Sequence, residues 1–313
     1  MNAERGEHLV ERAAALLRGS AGLTAEPASD PAPPPPAKAT APPPPRTAAP
    51  PVMPPPAPAA PLPSMAPLTS LELPRLDIET MKRAGLAVSG RERTRISEEY
   101  RITVGRILRV LRAAKTRADP SNLLMVTSAK PAEGKSFTAL NIAASIAQNG
   151  LGEVLLADMD AKPRSLSALM GLADAPGLYN LVANPALRIE DALIRTAVGG
   201  LSFLPIGSRE VTSAEPGVSR PVSATVEWLR RRFAHHFILL DCAPCLSTSD
   251  PSTLAALVDQ IVMVVEAERT QRTEVESSLE LIRACPNITL MLNKVRLTNS
   301  YTFGAYYYYG ARR

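Results

Sequence analysis

Gly134-Lys135-Ser136 closes the segment A-K-P-A-E-G-K-S, which runs from Ala129 to Ser136 between an apolar run and a helical pattern. A glycine, a lysine and a hydroxyl at this spacing can grip a polyphosphate. Backbone N–H groups of such a loop, with the positive end of the next helix, surround the β-phosphate. Lys135 then reaches the β and γ oxygens, and the Ser136 hydroxyl ligates Mg²⁺. Ala129, Lys130, Pro131, Ala132, Glu133, Gly134, Lys135, Ser136 and Phe137 are therefore candidate ATP contacts, with alanine at 129 where the pattern usually has glycine. A chance turn between strand and helix is the bland alternative.

Two further apolar runs end in carboxylates: V-L-L-A-D-M-D in Asp158 and Asp160, and F-I-L-L-D-C-A-P in Asp241. A carboxylate just past a buried strand has left the dry interior and can stay ionised at the sheet's edge. Phosphoryl transfer needs such groups, to hold Mg²⁺ directly or through water and to accept the nucleophile's proton. Any one of them could instead cap the helix that follows. Lys135, Asp158, Asp160 and Asp241 are the candidate catalytic residues, and Ser136, Asp158 and Asp241 the candidate metal ligands. Asn293 and Lys294, ending a later strand as L-N-K, could edge an adenine pocket, although Asn after a strand is also an ordinary turn residue.

The elements that must position these groups are legible as an alternation. L-L-M-V-T-S, E-V-L-L-A-D, L-S-F-L-P-I, H-F-I-L-L-D, Q-I-V-M-V-V and I-T-L-M-L-N read as strands with helical segments between them. The pattern predicts an α/β, doubly wound, mostly parallel sheet buried on both faces, with its ligand beyond the strands' carboxyl ends. Phe137, Leu140, Ile142, Ala143 and Ile146 carry the helix after the loop. An amphipathic helix with Ile102, Leu108 and Leu111 precedes the core, opening at Ile96 with Ser97 as N-cap. Four regions follow: a short amphipathic helix in 1–20, a disordered Pro/Ala-rich linker in 21–70, a nucleotide-binding domain in 71–298 and a flexible tail in 299–313. The linker cannot bury a core and suits an extended spacer or, alternatively, a groove ligand. The first helix is too short to be stable alone, and is either a docking peptide or frayed chain.

Composition narrows the classes. No apolar run approaches the length of a membrane span and no signal-peptide pattern opens the chain, which predicts a cytoplasmic protein. Three cysteines do not make a disulfide framework. The net charge of +5 is mild and its basic residues are dispersed, so no nucleic-acid partner is expected. Cys242-Ala243-Pro244-Cys245 has the spacing of a redox pair, a reading that leaves the phosphate loop unexplained.

The order of phosphate loop, D-M-D-A-K-P-R and I-L-L-D-C-A-P resembles the cytoplasmic bacterial tyrosine kinases of polysaccharide synthesis, whose Walker A, A′ and B motifs lie on a P-loop fold related to the MinD and ParA ATPases. I-S-E-E-Y-R and the tail S-Y-T-F-G-A-Y-Y-Y-Y-G-A-R-R fit as well, and L-V-E-R-A-A-A-L-L resembles the start of the exosortase-associated autokinase branch. The resemblance implies ATP and Mg²⁺ as cofactors, Asp158 and Asp160 completing the metal shell, and one of them receiving a tyrosine proton. It also implies a homo-oligomer phosphorylating tails in trans, and a separate membrane chain-length-determinant protein that recruits the chain to the inner membrane and activates it. Tyr301, Tyr306, Tyr307, Tyr308 and Tyr309, five of seven tyrosines, are the candidate acceptors. Departures are Ala129, Ala132 and Ala243, and Val104 in place of the last arginine of a Glu-x-x-Arg-x-x-Arg oligomer motif begun by Glu98 and Arg101. Lys130, placed like the signature lysine of MinD-type ATPases, supports an alternative: a dimerising positioning ATPase without kinase activity.

Overall fold

Each of the six apolar runs forms a strand, and two shorter strands join them. The computed structural model describes residues 74–88, 94–114, 122–184, 186–208 and 222–296, all within one compact unit, Met65–Arg313. The expected N-terminal helix (1–20), linker (21–70) and tyrosine tail (299–313) lie outside the described residues. The strands are β1 (Arg75–Leu76), β2 (Leu123–Ser128), β3 (Val154–Asp158), β4 (Ile194–Thr196), β5 (Leu201–Leu204), β6 (Phe237–Asp241), β7 (Gln260–Glu266) and β8 (Ile288–Asn293). They form one sheet in the order β1-β4-β5-β3-β6-β2-β7-β8. Every neighbouring pair is parallel except β4 with β5. The doubly wound fold expected from the alternation is the observed one. Strands β1 and β4 were not legible, because two or three residues carry no period.

Side chains alternate between two cores. In β2, Leu124 and Val126 enter one cluster while Leu123 and Met125 enter the other. The first cluster is covered by α1 (Ile78–Arg83), α2 (Arg95–Ala114) and α3 (Lys135–Gln148), with Leu166 of α4 (Leu166–Leu169). The second lies under α5 (Leu178–Ala183), α6 (Val222–Arg232), α7 (Asp250–Leu254) and α8 (Arg272–Ile282). Each large aliphatic side chain fully buried here contributes about 1.5–3 kcal/mol, enough that a few of them offset the polar groups buried at the sheet's edge.

Helix α2 starts one residue earlier than its sequence suggests, and its cap is Thr94 rather than Ser97. Thr94 Oγ1 accepts from Ser97 N at 3.1 Å, while the Ser97 hydroxyl donates back to Thr94 O at 2.7 Å. Val104 is 1% exposed and belongs to the core, whereas Glu98 and Arg101 pair at 2.7 Å on the surface. The motif's last position therefore faces inward. Buried Asn141 of α3 fixes the lead-in segment: its Oδ1 accepts from Ala87 N and Val88 N at 2.8 and 3.0 Å, and its Nδ2 donates to Gly85 O at 2.9 Å.

Candidate functional site: a phosphate loop facing three buried aspartates

The loop between β2 and α3 turns twice through left-handed backbone, at Ala132 (φ 68°) and Gly134 (φ 96°). The φ of Gly134 strains any side chain, and a Cβ there would lie 2.2 Å from Asn293 Nδ2, which would have to move aside. The loop delivers Lys135 and Ser136 to the first turn of α3, so the helix's free N–H groups and positive dipole end face the same space as the lysine.

Lys135 Nζ lies 2.7 Å from Asp160 Oδ2 and 3.5 Å from Asp241 Oδ1, and donates to Ser136 Oγ at 3.0 Å. Parallel register sets Asp158 directly beside Asp241 across β3 and β6. Both are fully buried, and Asp160 and Lys135 nearly so. Asp158 Oδ1 accepts from Asp160 N at 3.0 Å, and Asp158 Oδ2 accepts from the N–H and hydroxyl of Ser167 at 2.7 and 2.6 Å. Asp241 Oδ2 and Asp160 Oδ1 are buried with no hydrogen-bond partner.

Electrostatics follow from this crowding. Burial drives Asp241 up to about 7, with Lys135 opposing and Asp158 and Asp160 adding to the rise. For Lys135, burial works to lower the pKa, but Asp241 and Asp160 outweigh it and the ammonium is held charged. Asp158 is also raised by burial, against the pull of the Ser167 bonds.

Three carboxyl groups surround one ammonium, and two of their acceptor oxygens lack donors. A divalent cation is the complement of that set. No three His, Cys, Asp or Glu side chains among the described residues converge into a metal cage. Mg²⁺ retains waters and shares its shell with phosphate oxygens, so it needs no such cage, and the two unpartnered carboxylate oxygens fit it. Lys135 lies between Ser136 and Asp241 in that space, while both oxygens of Asp158, the third expected ligand, accept hydrogen bonds from Asp160 N and Ser167.

Other expected contacts are relocated. Asn293, expected at the edge of an adenine pocket, donates through Nδ2 to Glu133 O at 2.9 Å and lies against Gly134. Lys294 Nζ donates to Ala132 O at 2.6 Å and pairs with Glu266 at 3.1 Å. The Phe137 ring packs against Tyr100, centroids 6.3 Å apart, as part of the first core. Lys130 Nζ pairs with Glu274 of its own chain at 2.8 Å. Ala129 is buried, Pro131 and Ala132 exposed. Cys242 and Cys245 are buried free thiols whose pKa values burial raises, the opposite of a reactive pair. Ser167, Thr270 and Glu274 carry no spacing signal and were not foreseen. The tyrosines at 301 and 306–309 lie outside the described residues.

A mostly parallel sheet with a strand–loop–helix phosphate cradle and strand-end carboxylates at its carboxyl edge defines a P-loop nucleotide-binding domain. Its fold is that of the BceF tyrosine kinase domain: TM-score 0.52, 22% identity, 70% of this chain and 90% of that one. No family model matches the chain. Among curated proteins it is similar to the putative tyrosine-protein kinase CapB of Staphylococcus aureus, at 29% identity over 60% of this chain and 80% of CapB. It is 28% identical to the putative tyrosine-protein kinase EpsB of Ralstonia nicotianae over 70% of this chain, and there it spans only 28% of the relative's length.

Proposed function

We propose that this chain is an ATP-dependent protein-tyrosine kinase that phosphorylates its own C-terminal tyrosines, one protomer acting on the tail of another, and so regulates polymerisation or export of an exopolysaccharide. The carrying observation is the buried Lys135 set among Asp160, Asp241 and Ser136, with two carboxylate oxygens left unpartnered. Names of relatives such as CapB and EpsB support the acceptor assignment, as does the crowding of tyrosine into the tail.

Phosphoryl transfer passes through a loose transition state, so positioning and charge neutralisation supply most of the catalysis. Lys135 would neutralise charge gathering on the β and γ oxygens. Mg²⁺, bound with ATP, would supply the remaining positive charge, held by Ser136 and Asp241. Asp160, supported over Asp158 by its unpartnered Oδ1, would take the tyrosine proton. Asp158 would hold the β3 end against α4 through Ser167. Among the described residues no helix is long and apolar enough to cross a membrane. On this reading the chain works in the cytoplasm and reaches the inner membrane through a separate activating membrane protein.

The alternative, a positioning ATPase, needs Lys130 free to reach a partner's nucleotide; here Glu274 of the same chain holds it. One mixing experiment decides. A Lys135→Met full-length chain, expected to lose at least about 10³-fold in self-phosphorylation, is incubated with an active chain cut before Ser300, ATP and Mg²⁺. Intact mass should show up to five additions of about 80 Da on the full-length chain alone. ATP turnover with no mass gain on any tail would replace the kinase by the ATPase.

A further inference from the structure

A carboxylate inside a loop that must attract phosphate is a liability unless it is turned out of the cradle. Glu133 is 1% exposed, and each oxygen has a donor. Its Oε2 accepts from Lys130 N at 2.7 Å, across the loop's own base. Its Oε1 accepts from the Thr270 hydroxyl and, at 3.5 Å, from Glu266 N. Thr270 belongs to the connection between β7 and α8, outside the phosphate loop in sequence, and its own N–H is fixed to Glu266 O at 3.1 Å. The two elements this connection joins anchor the loop's outer side: Glu266, at the end of β7, through Lys294 to Ala132 O, and Glu274, in the first turn of α8, through Lys130.

We propose that Thr270 and Glu133 form a positioning clasp that presets the phosphate loop for nucleotide before any nucleotide arrives. The geometry gives the reason. Ala132 adopts a left-handed backbone that alanine disfavours, so left alone the loop would relax toward other shapes. Glu133 ties Lys130, two residues before that kink, to the end of β7 at Glu266. A loop held in its binding shape spares the nucleotide the cost of ordering it; a released loop charges that cost to affinity. The inference rests only on the nucleotide-binding part of the proposed function. A test that reads binding, not phosphorylation, therefore keeps its failure apart from failure of the kinase reading.

Thr270→Val removes the donor with little change of shape, and Thr270→Ser keeps it. Titration of the full chain with Mg²⁺–ADP should give a dissociation constant raised about tenfold for Thr270→Val, equivalent to about 1.4 kcal/mol, and near wild type for Thr270→Ser. Glu133→Gln should weaken binding at least as much, and the double variant no more than the worse single one, because both break the same clasp. In turnover assays the loss should fall on KM rather than kcat. Unchanged affinity in Thr270→Val overturns the proposal. Equal weakening in Thr270→Ser overturns it too, since the hydroxyl would then be irrelevant. If Glu133→Gln does not fold, the valine–serine pair alone decides.

Discussion

Asp158 and Asp241 stand side by side on adjoining parallel strands, both fully buried, yet their surroundings make different residues of them. Each Asp158 oxygen is engaged by its own chain, through Asp160 N and Ser167. Asp241 has one oxygen near Lys135 and one with no partner. Leaving a buried acceptor unsatisfied costs about 1–3 kcal/mol, comparable to what one buried leucine contributes. A fold accepts that cost where the vacant acceptor serves a ligand. Identical side chains at equivalent strand ends thus divide into one satisfied by its own chain and one that keeps an unpartnered acceptor.

The contrast breaks if the two asparagine variants behave alike. Asp241→Asn should lower phosphorylation by on the order of 10²-fold or more, while the melting temperature at pH 8 holds or rises, because a buried, half-satisfied charge is gone. Asp158→Asn should do the reverse. Its NH₂ must face a donor, whichever way the amide turns, so stability falls by about 1–3 kcal/mol and turnover falls less than for Asp241→Asn. Kinetics beside thermal melts on both variants measure the difference, and equal losses of stability would erase the distinction.

Acidity sharpens it. Asp241 is raised from an ordinary 3.8 to about 7, so its contribution to stability is full below the ordinary value and is lost as pH rises through about 7. In the absence of metal and nucleotide, the wild-type chain should therefore lose stability between about pH 4 and 8 relative to Asp241→Asn, whose profile lacks this component. Lys135 stays charged throughout and Asp160 and Asp158 face the same group, so the variant is the proper reference. Parallel profiles would remove Asp241 as the titrating group.

The smallest effect lies across the loop from the aspartates. Ala132→Gly relieves a left-handed alanine and should stabilise the chain by up to about 1 kcal/mol, the strain relieved less the entropy glycine adds to the unfolded state. Denaturant melts would resolve it; destabilisation would mean that the Lys294 and Glu133 contacts favour the kink more than the strain opposes it.

Much of this site could be read from the chain because its signals are local. A lysine and serine one residue apart after a buried strand, and an aspartate at the end of each of two apolar runs, need no long-range information. What escaped was set by tertiary contact. Ser167 reaches Asp158 from the start of α4, and Thr270 reaches Glu133 across 137 positions. The bond from Asn293 to Glu133 O, which depends on how β8 lies against the loop, had no sequence signal either. Ser97 was read as the N-cap opening the helix, but its own N–H donates to Thr94 Oγ1, three residues earlier.

The lead-in to the domain also has a mechanical consequence. Strand β1, two residues long at the sheet's margin, is held by Arg195 N to Pro74 O, and ten residues later the chain is pinned by Asn141 to the helix that starts at Lys135. Tension applied ahead of Pro74 would first unzip the β1 pairing and then load the three Asn141 bonds to residues 85–88 as a group. From there the pull runs along α3 toward Lys135, so the domain's entry strand is a tether through which force, and not only chemistry, can address the phosphate loop.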